Sequence, residues 1–452
     1  MQNNYFYKWI DSNKDDEINS FKECIDSYIY FKKDAFYKTN KLIKKKPEFN
    51  APKLLKIVLL LFSRDVQKIS LARETFKSIS TDEVNDYFHQ YLEIVNLWIK
   101  NDLKNLLNKL ELIIKDNPKD IFAIRLFHFN NIFLGIDSKF LNKHEEILSK
   151  WSENDQHYNL LLGMTSYAFE ENNIIDKAKL LALNSLKQSS NDLWSWHALL
   201  HVHDNENNNS INNNDNFNKI NWSIYGPIKR HIWWHQSLIL FYNQEYEKSL
   251  KLFDNYFSSS EIFYLDFCNA CSFLLRLHYK GVDVKERMDK LKDYAEYFKN
   301  QHILPFIDYH LIFYYLYYND QDYFQQLEER MEENYLENSF KENYINYLKP
   351  IIHSMKTNEL LNENIIKSQF KYLGGSFAQR ELIFLSLIQN TKYEKNKSDL
   401  ISEYNDYKLL LKQLDIIKTN SKQVLSSNIE YNNVKNRMIM NYIDHISNTC
   451  LL

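Results

Sequence analysis

Six glycines and six prolines are all that punctuate 452 residues, and this shortage constrains the fold more than any other feature. Together they make up about 3% of the chain, where ordinary usage is about 12%. Glycine supplies positive φ and proline fixes turns, so a chain this poor in both is ill suited to many tight turns. Hairpin-rich sandwiches and barrels need a turn signal every 8–12 residues or so and are disfavoured. Collagen-like and low-complexity classes are excluded. Part of the shortage is compositional: Asn, Lys, Ile, Tyr and Phe are enriched, as an AT-rich coding sequence would make them.

From Asp16 to Asn390 amphipathic stretches of about 12–18 residues follow one another, with apolar residues at helical spacing, as in Leu103, Leu106, Leu107 and Leu110. Alternating strand patterns are absent. Ser190-Asn191-Asp192 precedes a Trp-rich segment and reads as its N-cap. Leu162, Ser166, Phe169, Ala178 and Ala182 fall at intervals of 4, 3, 9 and 4, and Trp233, Ser237, Leu240, Ser249 and Phe253 repeat them. These are the small and large packing positions of a tetratricopeptide hairpin. The two copies lie 71 residues apart, close to twice that repeat's period of about 34. The expected fold is all-α, a right-handed α-solenoid of tetratricopeptide-like helical hairpins. Residues 1–115 read as N-terminal hairpins, 116–390 as the solenoid core and 391–452 as a C-terminal helical segment, in one continuous domain. The Asn-rich stretch 205–218 interrupts the intervening repeat and reads as a loop or a frayed second helix.

Lys plus Arg number 56 against 59 Asp plus Glu, a formal net charge of −3 that carries no nucleic-acid footprint. The longest apolar run, Ile57–Phe62, is too short to span a bilayer, and Met1–Asp11 does not resemble a signal peptide. Four cysteines are too few for a disulfide framework. Cys268 and Cys271 form a CxxC without a second pair, inside what reads as one apolar helix. The expectation is a cytoplasmic protein with neither nucleic acid nor membrane as partner.

The window 197–235 holds five of the 14 histidines, where about one is expected, and nearly the same stretch holds five of the eight tryptophans. His197 and His201 stand at i and i+4 and so share a helix face, with Asp204 on the same stripe. His231 and His235 repeat the spacing on the next such helix. In a solenoid these helices lie side by side, so four imidazoles can meet. Three readings stand open. The four can ligate a divalent metal such as zinc, iron or manganese. They can act as acid, base or hydrogen-bond donor in a metal-free, Trp-framed pocket for a small molecule. They can also pack and satisfy one another without a ligand.

At this cluster the chain resembles the tetratricopeptide repeat protein 38 family. The similar blocks are Asp116–Gly135, Tyr167–Asp204, His231–Asp254, Leu265–Arg287, His302–His310 and Leu373–Arg380. The matching positions are His128, Glu171, His197, His201, His203, His231, His235, Asp266, Asp308, His310, Gln379 and Arg380. The resemblance implies an α-helical repeat fold and an intracellular protein, and it implies no particular reaction. Asn269 stands where an Asp is usual in the family.

Two functions follow. In one, an enzyme or binding protein uses His197, His201, His231 and His235, with Asp308 and His310 as further catalytic candidates. His128, Glu171, Trp234, Asp266, Gln379 and Arg380 are its binding candidates. In the other, the groove is a scaffold for a partner peptide or protein, anchored by Trp233 and Trp234. Gly374-Gly375, two of the six glycines in one turn, mark a place where backbone shape matters.

Overall fold

A chain so short of glycine closes its helices with other residues. In the computed structural model, Phe31, Asn101, Asn173, Gln244 and Asn319 take φ values of 54–62° at helix ends. At each, the following amide bonds to the carbonyl five residues back: Lys32 to Ser27, Asp102 to Leu97, Ile174 to Phe169, Glu245 to Leu240 and Asp320 to Tyr315, at 2.8–3.1 Å. This is the Schellman closure, in which glycine is the usual occupant because a Cβ costs about 1 kcal/mol there. Gly281, φ 80°, makes the same closure through Val282 and Leu277.

The structure describes residues 8–390 except 13, 82–83, 207–214, 257–261, 358, 360 and 369. The expected C-terminal segment 391–452 and most of the Asn-rich stretch therefore lie outside the described residues. The protein is all-helical: no strand occurs among the described residues, and Lys32 and Tyr225 form an isolated bridge. No described helix is long and apolar enough to cross a membrane.

The first helices are α1 (Asp15–Ile29), α2 (Ala35–Lys45), α3 (Ala51–Leu61), α4 (Val66–Lys77), α5 (Asp86–Ile99), α6 (Leu103–Asp116), α7 (Ile121–Asn131) and α8 (Ser138–Leu148). Carboxylate and amide side chains start many of them. Asp65, Asn85, Asp102, Asp120 and Asp137 each accept an amide proton two or three residues on, a cap contributing about 1 kcal/mol.

The candidate site lies in the next group. These helices are α9 (Tyr158–Glu170), α10 (Ile175–Gln188), α11 (Leu193–Glu206), α12 (Asp215–Asn218), α13 (Ile228–Tyr242), α14 (Tyr246–Tyr256) and α15 (Tyr264–Tyr279). α9, α11, α13 and α15 lie side by side in that order, while α10 packs on α9 and α11, and α14 packs on α13. Both hairpins expected from spacing are present, as α9–α10 and α13–α14. Their small residues explain the close approach: Ser166, Ala178, Ala182, Ser237 and Ser249 are fully buried. Ser166 Oγ donates to Ala178 O at 2.6 Å across the first hairpin.

Asp192 caps α11 as the sequence suggests, accepting from Trp194 N at 3.1 Å and from the Ser195 and Ser185 hydroxyls at 2.7 and 3.0 Å. The interrupted repeat keeps α11, and its described remainder is the single turn α12 and a 3₁₀ turn at Trp222–Ile224. The helices Pro305–Tyr317 and Phe377–Asn390 both pack on α15.

Candidate functional site

The i,i+4 spacing does what a helix requires of it. His197 and His201 project together from α11, and His231 and His235 from α13, into the seam between those neighbouring helices. There the four imidazoles converge. The Nε2 atoms of His197 and His231 are 2.9 Å apart, those of His201 and His197 3.2 Å, and those of His235 and His231 3.3 Å. The His201 and His235 ring centres are 4.3 Å apart. The structure buries all four, with 1–6% exposure. Aromatic rings cover them: Tyr167 stacks on His197 at 5.5 Å and Trp234 on His231 at 5.3 Å.

Burial fixes the charge state. It pulls His231 down to about 3 and His197 and His235 well below the usual histidine value, with the neighbouring imidazoles adding to the effect. These rings are therefore neutral at physiological pH and carry available lone pairs. Acceptors then orient two of the rings. Asn269 Oδ1 lies 3.3 Å from His231 Nδ1, so that nitrogen holds the proton and Nε2 does not. Glu170 Oε2 lies 3.2 Å and Glu171 Oε1 3.9 Å from His201 Nδ1, so that nitrogen holds a proton.

Glu171 ties this centre to the far end of the described chain. Its carboxylate accepts from Phe377 N at 3.1 and 3.3 Å, at the start of the last described helix, and pairs with Arg380 at 3.6 Å. Burial first, then the Glu170 carboxylate, push Glu171 up to about 7, against the pull of Arg380. The Gly374-Gly375 turn sets this helix in place. Gly374 sits at φ 84°, ψ 168°, a conformation open essentially only to glycine. A Cβ there would lie 3.1 Å from backbone atoms of Phe133. Gly375 N donates to Ile132 O at 3.1 Å, and Arg380 Nη1 donates to Gly375 O.

Gly374→Ala is expected to destabilise the protein by about 3 kcal/mol, because conformational strain and a backbone collision add. Gly281→Ala, with φ +80° but nothing within 4 Å of the new Cβ, is expected to cost about 1 kcal/mol. Urea unfolding of both variants checks the ordering.

The other candidates divide. Trp234 joins the centre, but it is fully buried and so is no anchor for a surface peptide. Gln379 closes the turn, its Oε1 accepting from Ser376 N at 3.0 Å. Asp266 is committed to Arg230 at 2.6 Å. His128 pairs with His144, Nδ1 to Nε2, at 3.0 Å, one aromatic layer away behind Trp194. Asp308 and His310 turn to different partners, as residues two apart on a helix must. Asp308 accepts from His302 at 3.2 Å and from Tyr335 at 2.5 Å. His310 Nδ1 donates to Phe306 O at 2.7 Å. Asp204 falls outside the described side chains. Cys268 and Cys271 are free and buried within α15, and burial raises both thiols. Sequence reasoning overlooked Glu170 and underrated Asn269, the two acceptors that orient His201 and His231. A polar residue inside an otherwise apolar helix, as Asn269 is in FCNACSF, was the available signal.

No family model matches the chain, and no solved structure matches it.

Proposed function

We propose that this protein is a right-handed α-solenoid of tetratricopeptide-like hairpins whose working part is an internal four-imidazole centre that binds a small ligand or metal ion. The solenoid reading rests on the alternation of helices, in which α9, α11, α13 and α15 share a layer and α10 and α14 back it. It rests also on the two hairpins with matching small-residue spacing. The observation that carries the functional reading is the convergence of four imidazoles from two adjacent helices, their Nε2 atoms linked by contacts of 2.9–3.3 Å. Four polar rings in a buried seam are costly unless they serve one another or a ligand. Two of them are oriented by acceptors that turn Nε2 toward the others, as a binding or acid–base centre needs. Burial of Trp234 speaks against a peptide scaffold anchored there. Free, buried cysteines accord with a cytoplasmic, reducing setting.

Native mass spectrometry of gently purified protein tests the reading. The expected result is a bound species in the wild type that is lost in the His197→Ala/His235→Ala variant. A wild type that carries no added mass, and gains none from cell extract, overturns it.

A further inference from the structure

The occupant of this centre can be argued from its donor set. Four side chains offer nitrogen and nothing else at the point of convergence. If zinc lies about 2.0–2.1 Å from each imidazole nitrogen in a tetrahedral site, neighbouring ligand nitrogens stand about 3.3–3.4 Å apart. The three Nε2 contacts, at 2.9, 3.2 and 3.3 Å, are three of the six edges of such a tetrahedron and come close to that length. The His197, His231 and His235 ligand atoms also lie within 4.8 Å of one another, so three donors from two helices already form one set.

The orientation of the rings follows the same logic. His231 turns its Nδ1 to Asn269 and His201 its Nδ1 to the Glu170–Glu171 carboxylates, so both rings present Nε2 to the point of convergence. A ligating histidine that donates its other N–H to a carboxylate or amide oxygen is the arrangement by which proteins orient metal ligands. Without a cation, the protons for the Nε2 contacts must come from His197 Nε2, 3.2 Å from His201 Nε2, and from His235 Nε2, 3.3 Å from His231 Nε2. A cation at the convergence point accepts lone pairs from these nitrogens instead. His197 Nδ1 and His235 Nδ1 find no hydrogen-bond partner either way, so they do not discriminate.

We propose that the seam between α11 and α13 is a mononuclear site for a divalent transition metal of the zinc class. His197, His231 and His235 are its ligands, and His201, its Nε2 3.2 Å from His197 Nε2 and its Nδ1 against Glu170, stands next to them at the fourth position. An all-imidazole set suits zinc, cobalt, nickel or copper and disfavours manganese and magnesium, which take oxygen. The proposal rests on the reading that the imidazole centre binds a ligand, and it narrows that ligand to a metal.

The test is elemental analysis of protein purified without chelator, alongside titration of chelator-treated protein with Co²⁺ followed by visible absorption. The expected result is one metal per chain, and with Co²⁺ the intense bands of a four-coordinate site. Chelation should lower the melting temperature of the wild type itself, so the outcome does not depend on any variant folding. His197→Gln/His235→Gln should abolish the cobalt bands, while His144→Gln, outside the centre, should keep them. Sub-stoichiometric metal, together with no cobalt spectrum and an unchanged melting temperature, overturns the proposal. If native mass spectrometry then shows a bound organic molecule, the broader reading stands and only the metal fails. If nothing is bound, both fail.

Discussion

Mild acid is expected to destabilise this protein above the pH range in which ordinary carboxylates titrate. Burial holds His128 well below the ordinary value of 6.5, His144 and His310 at about 3 and His157 at about 4, all of them outside the four-imidazole centre. A base whose folded pKa is depressed is protonated more readily in the unfolded chain. Stability is therefore lost as pH falls through 6.5, and each such histidine weakens the fold by roughly 1 kcal/mol or slightly more between pH 7.5 and 5.5. Four of them contribute about 5 kcal/mol. Glu171 and Asp120 oppose this, because burial lifts them to about 7 and about 6, so the fold takes up their protons before the unfolded chain does. Their gain over the same interval is about 2–3 kcal/mol. The net loss is about 3 kcal/mol before His197, His231 and His235 are counted, against a total stability of about 5–15 kcal/mol. Urea unfolding at pH 7.5 and pH 5.5 measures it. His144→Gln should reduce proton uptake on unfolding by about one. A protein equally stable at both values would show that these imidazoles are solvated.

Much of the fold was legible because a helix reports itself locally. Amphipathic spacing marked α6, the intervals of small residues marked α9–α10 and α13–α14, and Asp192 stood where a cap was needed. The HxxxH pairs were equally legible, since about one helical turn of sequence fixes both members on one face. What could not be read was partnership over distance. Glu171 meets Phe377 and Arg380 across more than 200 residues, and no local rule places the last described helix against the end of α9. Asp308 and His310 show the same limit: their proximity in sequence invited a shared role, while packing gave one to His302 and Tyr335 and the other to its own helix backbone. The depth at which the histidines lie is a further case: only the packing shows Tyr167 and Trp234 as their covers.

One signal was in the sequence and was passed over. Arg276 interrupts the apolar run Phe273–Leu277, and Glu381 precedes Leu382–Leu385, so each charge sits among residues bound for a core. Such charges need each other. Arg276 Nη2 lies 3.3 Å from Glu381 Oε2 and donates to Ala378 O at 2.6 Å, with the two side chains 0% and 1% exposed. Arg276 also donates to the Ser272 hydroxyl, and Tyr242 donates to Glu381. The pair thus clamps the last described helix to α15. Arg276→Met is expected to cost about 3–5 kcal/mol, because it leaves Glu381 buried without its counter-charge rather than because the pair itself is so favourable. Arg276→Met/Glu381→Gln should recover most of that loss, since the neutral amide still accepts from Tyr242 and no charge stays buried. Urea unfolding of both single variants and the double one gives the coupling directly; additive losses would mean that the two groups are independently solvated. The same clamp reaches the imidazole centre. The Arg276 guanidinium stands 6.0 Å from the Trp234 ring that stacks on His231, and the helix it holds presents Phe377 N to Glu171. Arg276→Met should therefore weaken ligand retention by the centre as well as stability. The double variant should restore both together, because what the pair supplies to the site is the position of a helix rather than a charge.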